Sequence, residues 1–257
     1  MEASLRAVLV TGASAGIGEE FARQLAVAGH HLVLVARRLD RLETLASELK
    51  GRHNIQVECI ASDLAKANAA EQLVAELEAR KVQVTGLINN AGFGDRGSVQ
   101  GLPLQRQLDM IQVNVASLVD LTWRLLPGLK SVPNSFIINV ASTAAFQAGP
   151  NMAVYYASKA FVLSFSEALH EEVKADGVAV SALCPGATDS EFASEANMTD
   201  TVLFKAGTMS AEAVVRKALD ARRRAIVIPG LKNLLMIWMG KFSPRLVTRR
   251  LAGWLQK

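Results

Sequence analysis

Two rhythms of apolar residues alternate along the chain. Short runs, most of them continuous and apolar and rich in β-branched residues, lie at 7–11, 32–36, 56–60, 86–89, 136–140, 179–183 and 225–228. Longer segments of helical period separate them at 16–28, 40–49, 67–80, 104–126, 153–176 and 211–223. A strand covered on one face alternates apolar and polar residues, whereas these runs do not, so they read as strands buried on both faces of a parallel sheet. Strand and helix in turn, with short connections, predict right-handed crossovers and a doubly wound α/β sheet of about seven strands with helices on both faces. Two apolar clusters after Pro229, at 234–239 and 246–255, predict a helical C-terminal appendage. No repeat, low-complexity tract or linker interrupts the pattern. Residues 1–257 therefore read as one domain: a core over 5–192, a pocket-covering loop over 187–207 and the appendage over 230–257.

Composition agrees with a packed enzyme-sized core. Hydrophobic residues are 50% and charged residues 20% of 257, which excludes disorder and a disulfide-stapled mini-fold. Aromatics are only 5%, too few for a nucleic-acid binder built on stacked bases. The net charge of +4 is unevenly placed. Nine Lys or Arg and no acid follow Ala221, leaving the first 220 residues at −5. Such a tail faces an anionic membrane or an acidic partner, or is simply an exposed basic helix face. Cys59 and Cys184 lie in apolar runs without metal-ligand spacing and read as buried thiols of a reducing compartment. The four His form no ligand pattern, so no metal is expected. No secretory signal opens the chain, and the apolar run at 234–239 stops at Gly240 and Lys241, far short of the roughly 20 residues that cross a bilayer. A cytoplasmic protein, at most peripheral to a membrane, is expected.

The first run leads into Thr11-Gly12-Ala13-Ser14-Ala15-Gly16-Ile17-Gly18 and then a helix. A phosphate needs open backbone N–H groups and the positive end of a helix dipole, and glycines remove the Cβ atoms that block its approach. Placement in the first strand–helix turn makes this a candidate dinucleotide cradle of a Rossmann fold. At the end of the second strand such folds meet the adenosine ribose, where a carboxylate holds the 2′-hydroxyl and repels a 2′-phosphate. Here Arg37 and Arg38 stand instead, with Asp40 four residues past the strand end. Guanidinium suits a phosphate dianion through bidentate hydrogen bonds. NADP(H) is expected over NAD, with Arg37 the main contact and Arg38 second.

Three further features converge. The fourth strand ends in Asn89-Asn90-Ala91-Gly92, and the fifth in Asn139-Val140-Ala141-Ser142. Thirteen residues later Tyr155 precedes Lys159 by four, which places phenol and ammonium on one helix face. A phenol is a poor base at neutral pH, and a neighbouring cation lowers its pKa. Tyr156 cannot form this pair because its fourth neighbour is Ala160.

With these motifs the sequence resembles the short-chain dehydrogenase/reductase family in its short form, over residues 5–192. The resemblance rests on the turn at 11–18, Asp63-Leu64, Asn89 to Gly92, Asn114, Ser142, Tyr155 with Lys159, and Pro185-Gly186. It implies that Tyr155 exchanges a proton with a carbonyl oxygen that Ser142 also holds. It implies that Lys159 lowers the Tyr155 pKa and grips the nicotinamide ribose, and that Asn114 anchors a proton relay. Asp63 and Leu64 would lie by the adenine, Asn90, Ala91 and Gly92 in the cofactor groove, and Thr188 by the nicotinamide carboxamide. Two positions depart from the family pattern. Ser190 stands where Thr is frequent, and Ala15 where NADP-preferring members often carry a base, which leaves the 2′-phosphate to Ser14, Arg37 and Arg38.

The expected activity is interconversion of a ketone or aldehyde with an alcohol. Phe192, Met198, Leu203, Phe204 and Met209 either line an apolar substrate lid or belong to the core. An apolar substrate such as a 3-oxoacyl, steroid-like or xenobiotic carbonyl follows from the first reading. The alternatives are an NAD-dependent dehydrogenase, a nucleotide-binding sensor without turnover, or an isomerase that uses the cofactor transiently. The resemblance also implies a homodimer or homotetramer, often through the helix bearing Tyr155. The basic amphipathic appendage either meets an anionic membrane or subunit, or packs over the lid.

Overall fold

A computed structural model describes residues 4–205 and 207–256. The side chain of Leu203, one of the expected lid residues, lies outside that description. The chain runs β1 (Leu5–Thr11), α1 (Gly16–Val27), β2 (His31–Ala36), α2 (Leu39–Arg52), β3 (Val57–Ala61), α3 (Ala69–Ala79) and β4 (Val82–Asn89). It continues through α4 (Leu104–Ile111), α5 (Ser117–Lys130), β5 (Phe136–Val140), α6 (Ala153–Val173) and β6 (Ala179–Leu183). Then come β7 (Thr188–Asp189), α7 (Phe192–Glu195), α8 (Val202–Lys205), β8 (Met209–Ser210), α9 (Ala211–Asp220) and β9 (Ile226–Val227). The chain closes with α10 (Leu231–Phe242) and α11 (Arg245–Leu255).

Seven strands form one parallel sheet in the order β3-β2-β1-β4-β5-β6-β9, while β7 and β8 pair separately. This is the doubly wound arrangement expected from the run pattern. Side chains alternate between two cores, as a period of two requires. Val8, Val10, Leu32 and Leu34 pack with Phe21, Leu25 and Leu42 of α1 and α2 on one face. Leu9, Val33, Val35 and Leu87 pack with Leu73, Leu77, Leu121 and Leu125 of α3 and α5 on the other. That double covering explains why the middle of the central strands is almost wholly apolar.

The sheet order reverses direction between β1 and β4. There the connections leave to opposite faces, and the carboxyl ends of the strands open into a crevice. One departure from the periodicity matters for that crevice. The segment 104–126 reads as one helix, but a π-helical turn over Gln112–Ala116 separates α4 from α5. The extra residue in that turn is invisible to a helical-period count, and it carries Asn114.

Candidate functional site

The crevice is a cleft of about 850 Å³ that runs from the glycine turn, past the ends of β4, β5 and β6, to the C-terminal helices. Its walls include Gly12, Ser14, Gly16, Ile17, Arg37, Arg38, Asp63, Leu64, Asn90, Ala91, Gly92, Ser142, Tyr155, Lys159, Pro185, Gly186 and Thr188. Of the expected site residues, only Gly18 and Asn114 lie behind the wall.

The glycine turn is as open as a phosphate requires. Gly12 and Gly16 both hold positive φ, +66° and +56°, which side chains rarely adopt. A Cβ on Gly12 would sit 2.8 Å from Asn90 Nδ2 and 2.9 Å from Ala91 Cα. Gly18 serves packing: a Cβ there would lie 2.2 Å from the Gly12 oxygen. No side chain among the described residues caps α1, so its first N–H groups face the cleft with the positive end of the helix dipole. Thr11 and Asn90 brace the turn. Thr11 Oγ1 accepts from the N–H groups of Asn90 and Ala91, both at 3.0 Å, and Asn90 Nδ2 donates to the Thr11 carbonyl at 2.9 Å.

At the far end of β2 the two arginines differ. Arg38 donates to Ser14 Oγ through Nε at 3.3 Å and Nη2 at 3.0 Å, and pairs with Glu191 at 3.0 Å. Glu191 also takes Arg41 at 2.5 Å. Its carboxyl is held below the ordinary range, first by the Arg41 hydrogen bond and then by Arg38. Arg37 is exposed and has no ion-pair partner among the described residues. Asp63 accepts from the Ala65 N–H at 3.2 Å, a local turn contact made while it faces the cleft.

At the other end, α6 brings Tyr155 and Lys159 under β5. Tyr155 and Ser142 both face the cleft, and the Ser142 side chain favours the phenolate form of Tyr155. Lys159, only 6% exposed, donates to the Val140 carbonyl at 2.7 Å, and its Nζ stands 5.9 Å from the Tyr155 ring centre. Asn114 holds this arrangement together from behind. Its Oδ1 accepts from the Phe93 N–H, and its Nδ2 donates to the Phe93 carbonyl and to Ser158 Oγ, all at 3.0 Å. Ser158 Oγ in turn donates to the Tyr155 carbonyl at 2.7 Å. The π-helical turn thus ties the end of β4 to the first turns of α6.

Burial dominates the electrostatics of the pair. Burial raises the Tyr155 phenol above its ordinary range, against a smaller lowering by the Ser142 side chain. Burial also lowers the Lys159 ammonium to about 8. Both groups lose water on entering the wall, and that loss disfavours phenolate and ammonium alike. At neutral pH the phenol keeps its proton, which suits a donor to a developing alkoxide.

The family profile described as short chain dehydrogenase matches residues 6–201. The chain belongs to that family. It is 41% identical to a sulfoacetaldehyde reductase of Chromohalobacter salexigens over 187 residues, 72% of this chain and 73% of that protein. It is 34% identical to a very-long-chain 3-oxoacyl-CoA reductase of Coprinopsis cinerea over 67% of this chain and 51% of that longer protein. Among solved structures, a short-chain dehydrogenase from Sphingobium yanoikuyae in complex with NADPH superposes with a TM-score of 0.82. That pair is 31% identical and covers 92% of this chain and 93% of the other. The protein is therefore an oxidoreductase of the short-chain dehydrogenase family.

In this short-chain dehydrogenase, several cleft residues escaped the reading of the sequence. Tyr156 turns away from the catalytic position, and its hydroxyl accepts from Gln256 Nε2 at 2.6 Å, joining α6 to the last turn of the chain. The Gln256 Oε1 is buried in the same wall without a partner among the described residues. Asn233 closes on Gly186 and donates to the Pro229 carbonyl at 2.7 Å, fixing the start of α10. Arg106 faces the cleft over the Phe93 ring and pairs with Asp95. The Tyr156–Gln256 and Gly186–Asn233 contacts join residues far apart in sequence, so no local spacing announced them. Phe192, Met198 and Phe204 do line the cleft and cluster with Tyr155 and Tyr156. Met209 does not, and packs against the core beneath α1 and α9. Both cysteines are free, Cys184 buried and Cys59 only half-buried. No cluster of metal-ligating residues occurs among the described residues.

Proposed function

We propose that this chain is an NADP(H)-dependent carbonyl reductase or alcohol dehydrogenase acting on an apolar ketone or aldehyde. The observation that carries the reading is one continuous cleft with an open glycine turn at one end and Ser142, Tyr155 and Lys159 at the other. Its walls fit a dinucleotide. The turn leaves the N-terminus of α1 bare for a pyrophosphate. A Cβ on Gly92 would meet Asn114 Oδ1 at 2.9 Å and Lys159 Nζ at 3.3 Å, so only glycine leaves room beside the lysine. A bound nicotinamide supplies the hydride donor or acceptor.

The chain's own residues supply geometry and protons. Ser142 and Tyr155 hold the substrate oxygen, and Tyr155 delivers the proton that turns a ketone into an alcohol. Lys159 holds the ribose and keeps positive charge beside the phenol. Asn114 acts as a positioning residue through Phe93 and Ser158. Asp63, Leu64 and Thr188 flank the adenine and carboxamide ends. Arg37 and Arg38, with Ser14, receive the 2′-phosphate, and the lack of a carboxylate at the end of β2 supports NADP over NAD. Phe192, Met198 and Phe204 make the substrate end apolar, which supports a 3-oxoacyl, steroid-like or xenobiotic carbonyl. The exposed Leu104, Leu108, Trp123 and Phe161 on α4, α5 and α6 support a homodimer or homotetramer built on that face. No helix among the described residues is long and apolar enough to cross a membrane.

The test is oxidation of NADPH and NADH against a panel of ketones. Tyr155→Phe keeps the ring and removes the proton, so turnover should fall roughly 10²–10⁴-fold. Arg37→Ala should raise the Michaelis constant for NADPH and leave NADH unchanged. Equal use of both cofactors, or an unaltered NADPH constant in the Arg37 variant, would refute the NADP assignment. Tight NADPH binding without turnover of any ketone would favour the sensor reading.

A further inference from the structure

Helices α10 and α11 cover the substrate end of the cleft, yet most of their surface faces outward. On α10, Leu231, Leu235, Trp238 and Phe242 are all exposed, at 71% and 77% for the first and last. Their spacing of four, three and four residues aligns them in one stripe along the helix. Trp238 and Phe242 stack with ring centres 5.8 Å apart. Trp254 of α11 is exposed as well. Lys241, Arg245, Arg249 and Arg250 are exposed on the same two helices, and no acidic residue follows Asp220. These four cations have no carboxylate partner among the described residues; Lys241 instead lies over the Trp238 ring, 5.7 Å from its centre.

We propose that the outer face of α10 and α11 docks on an anionic lipid surface, and that the cleft takes its apolar substrate from the bilayer. Charge selects this occupant. A second copy meeting the face about a two-fold axis would set arginine against arginine without an intervening acid. The apolar patch on α4, α5 and α6 carries no such excess and suits a subunit contact better. Tryptophans beside an apolar stripe, with unpaired cations on the same helices, are what the boundary between headgroups and acyl chains accommodates. The geometry adds a route. Met236, Met239, Val247 and Leu251 line the cleft and are also exposed, Met239 at 63%. The mouth of the cleft therefore opens through the docking helices. Seating the stripe in lipid would set that mouth at the acyl layer, so an apolar carbonyl need not cross water. The route rests on the proposed activity, whereas the docking does not.

The experiment is flotation of the full chain with vesicles of phosphatidylcholine alone or mixed with phosphatidylglycerol, at low and high salt. Tryptophan fluorescence with bromine-labelled acyl chains is read in parallel. Co-flotation at least about tenfold stronger with the anionic vesicles, weakened by salt, is expected, with quenching by the brominated chains. Trp238→Ser with Phe242→Ser should abolish both signals while turnover of a water-soluble ketone stays unchanged. Arg249→Glu with Arg250→Glu should remove the anionic preference. Quenching of the unaltered protein needs no variant, so a variant that fails to fold leaves the test intact. Absence of co-flotation and quenching at low salt would overturn the proposal. So would loss of a subunit in sedimentation velocity when Trp238 and Phe242 are replaced, because the face would then cover a second copy. Vesicle binding without any ketone turnover would keep the docking face and sink the reading of the site instead.

Discussion

Replacing Lys159 by methionine should stabilise the nucleotide-free protein while disabling it. The ammonium is buried and its pKa is lowered from 10.5 to about 8. Each pKa unit corresponds to about 1.4 kcal/mol, so keeping Lys159 charged in the fold costs roughly 3 kcal/mol at pH 7. Methionine is unbranched, of similar length and uncharged. It loses the hydrogen bond to the Val140 carbonyl, and leaving that oxygen alone costs about 1–3 kcal/mol. The net gain is at most about 2 kcal/mol, or up to roughly 8 °C in Tm for a chain of this size. The sign is fixed by the proton count. Between about pH 8 and 10.5 the unfolded chain holds a proton on Lys159 that the folded chain has lost, so wild-type stability rises with pH there. The variant's advantage should therefore be full below pH 8 and should vanish by about pH 10. Calorimetry of both proteins without nucleotide, at neutral and alkaline pH, reads this directly. A variant less stable than wild type at pH 7, or an advantage independent of pH, would show that the buried charge does not destabilise the wild type. Turnover, which the proposed mechanism links to the ammonium, should fall in the same variant.

Three other outcomes follow from the same geometry. The rate of ketone reduction should decline above about pH 8 as Lys159 loses its proton, read from the pH profile of kcat/KM. Glu191→Gln removes the carboxylate that occupies Arg38 and Arg41. An exposed pair contributes at most about 1 kcal/mol, so KM for NADPH should fall by about two- to fivefold, with no change for NADH. An equal shift for both cofactors would show that Glu191 acts on lid order instead. Gly18→Ala places a methyl group 2.2 Å from the Gly12 carbonyl, which is backbone and cannot turn aside. A loss of about 1–3 kcal/mol is expected, and thermal melts equal to wild type would show that the turn is slack.

The glycine turn, the Tyr155 and Lys159 pair and the strand runs were legible because each is local. A periodicity of two or three to four residues, or a fixed spacing around a turn, is written in neighbouring positions. Their limits appear where a local rule meets a tertiary one. Asn114 looked like a helix-interior polar residue with a role only by resemblance. The π-helical turn that seats it arises where α4 and α5 must fit both Phe93 and Ser158. The sequence put Arg37 ahead of Arg38 as the phosphate contact, and only the fold shows Arg38 held by Ser14 and Glu191 while Arg37 stays exposed.

By itself the sequence determined that a parallel doubly wound sheet forms, that its first turn is shaped for a phosphate, and that one tyrosine stands four residues before a lysine. Those properties follow from backbone geometry and side-chain period, which act over a few residues. The tertiary structure decided how deeply the pair is buried, because desolvation depends on what surrounds Tyr155 and Lys159 from distant parts of the chain. It also decided the fate of the C-terminal helices. Their composition allowed either packing over the lid or an outward face, and the fold gives them both: an inner side on the cleft and a stripe of aromatic and basic residues toward solvent. Burial is a property of the assembled chain, and no count along the sequence measures it.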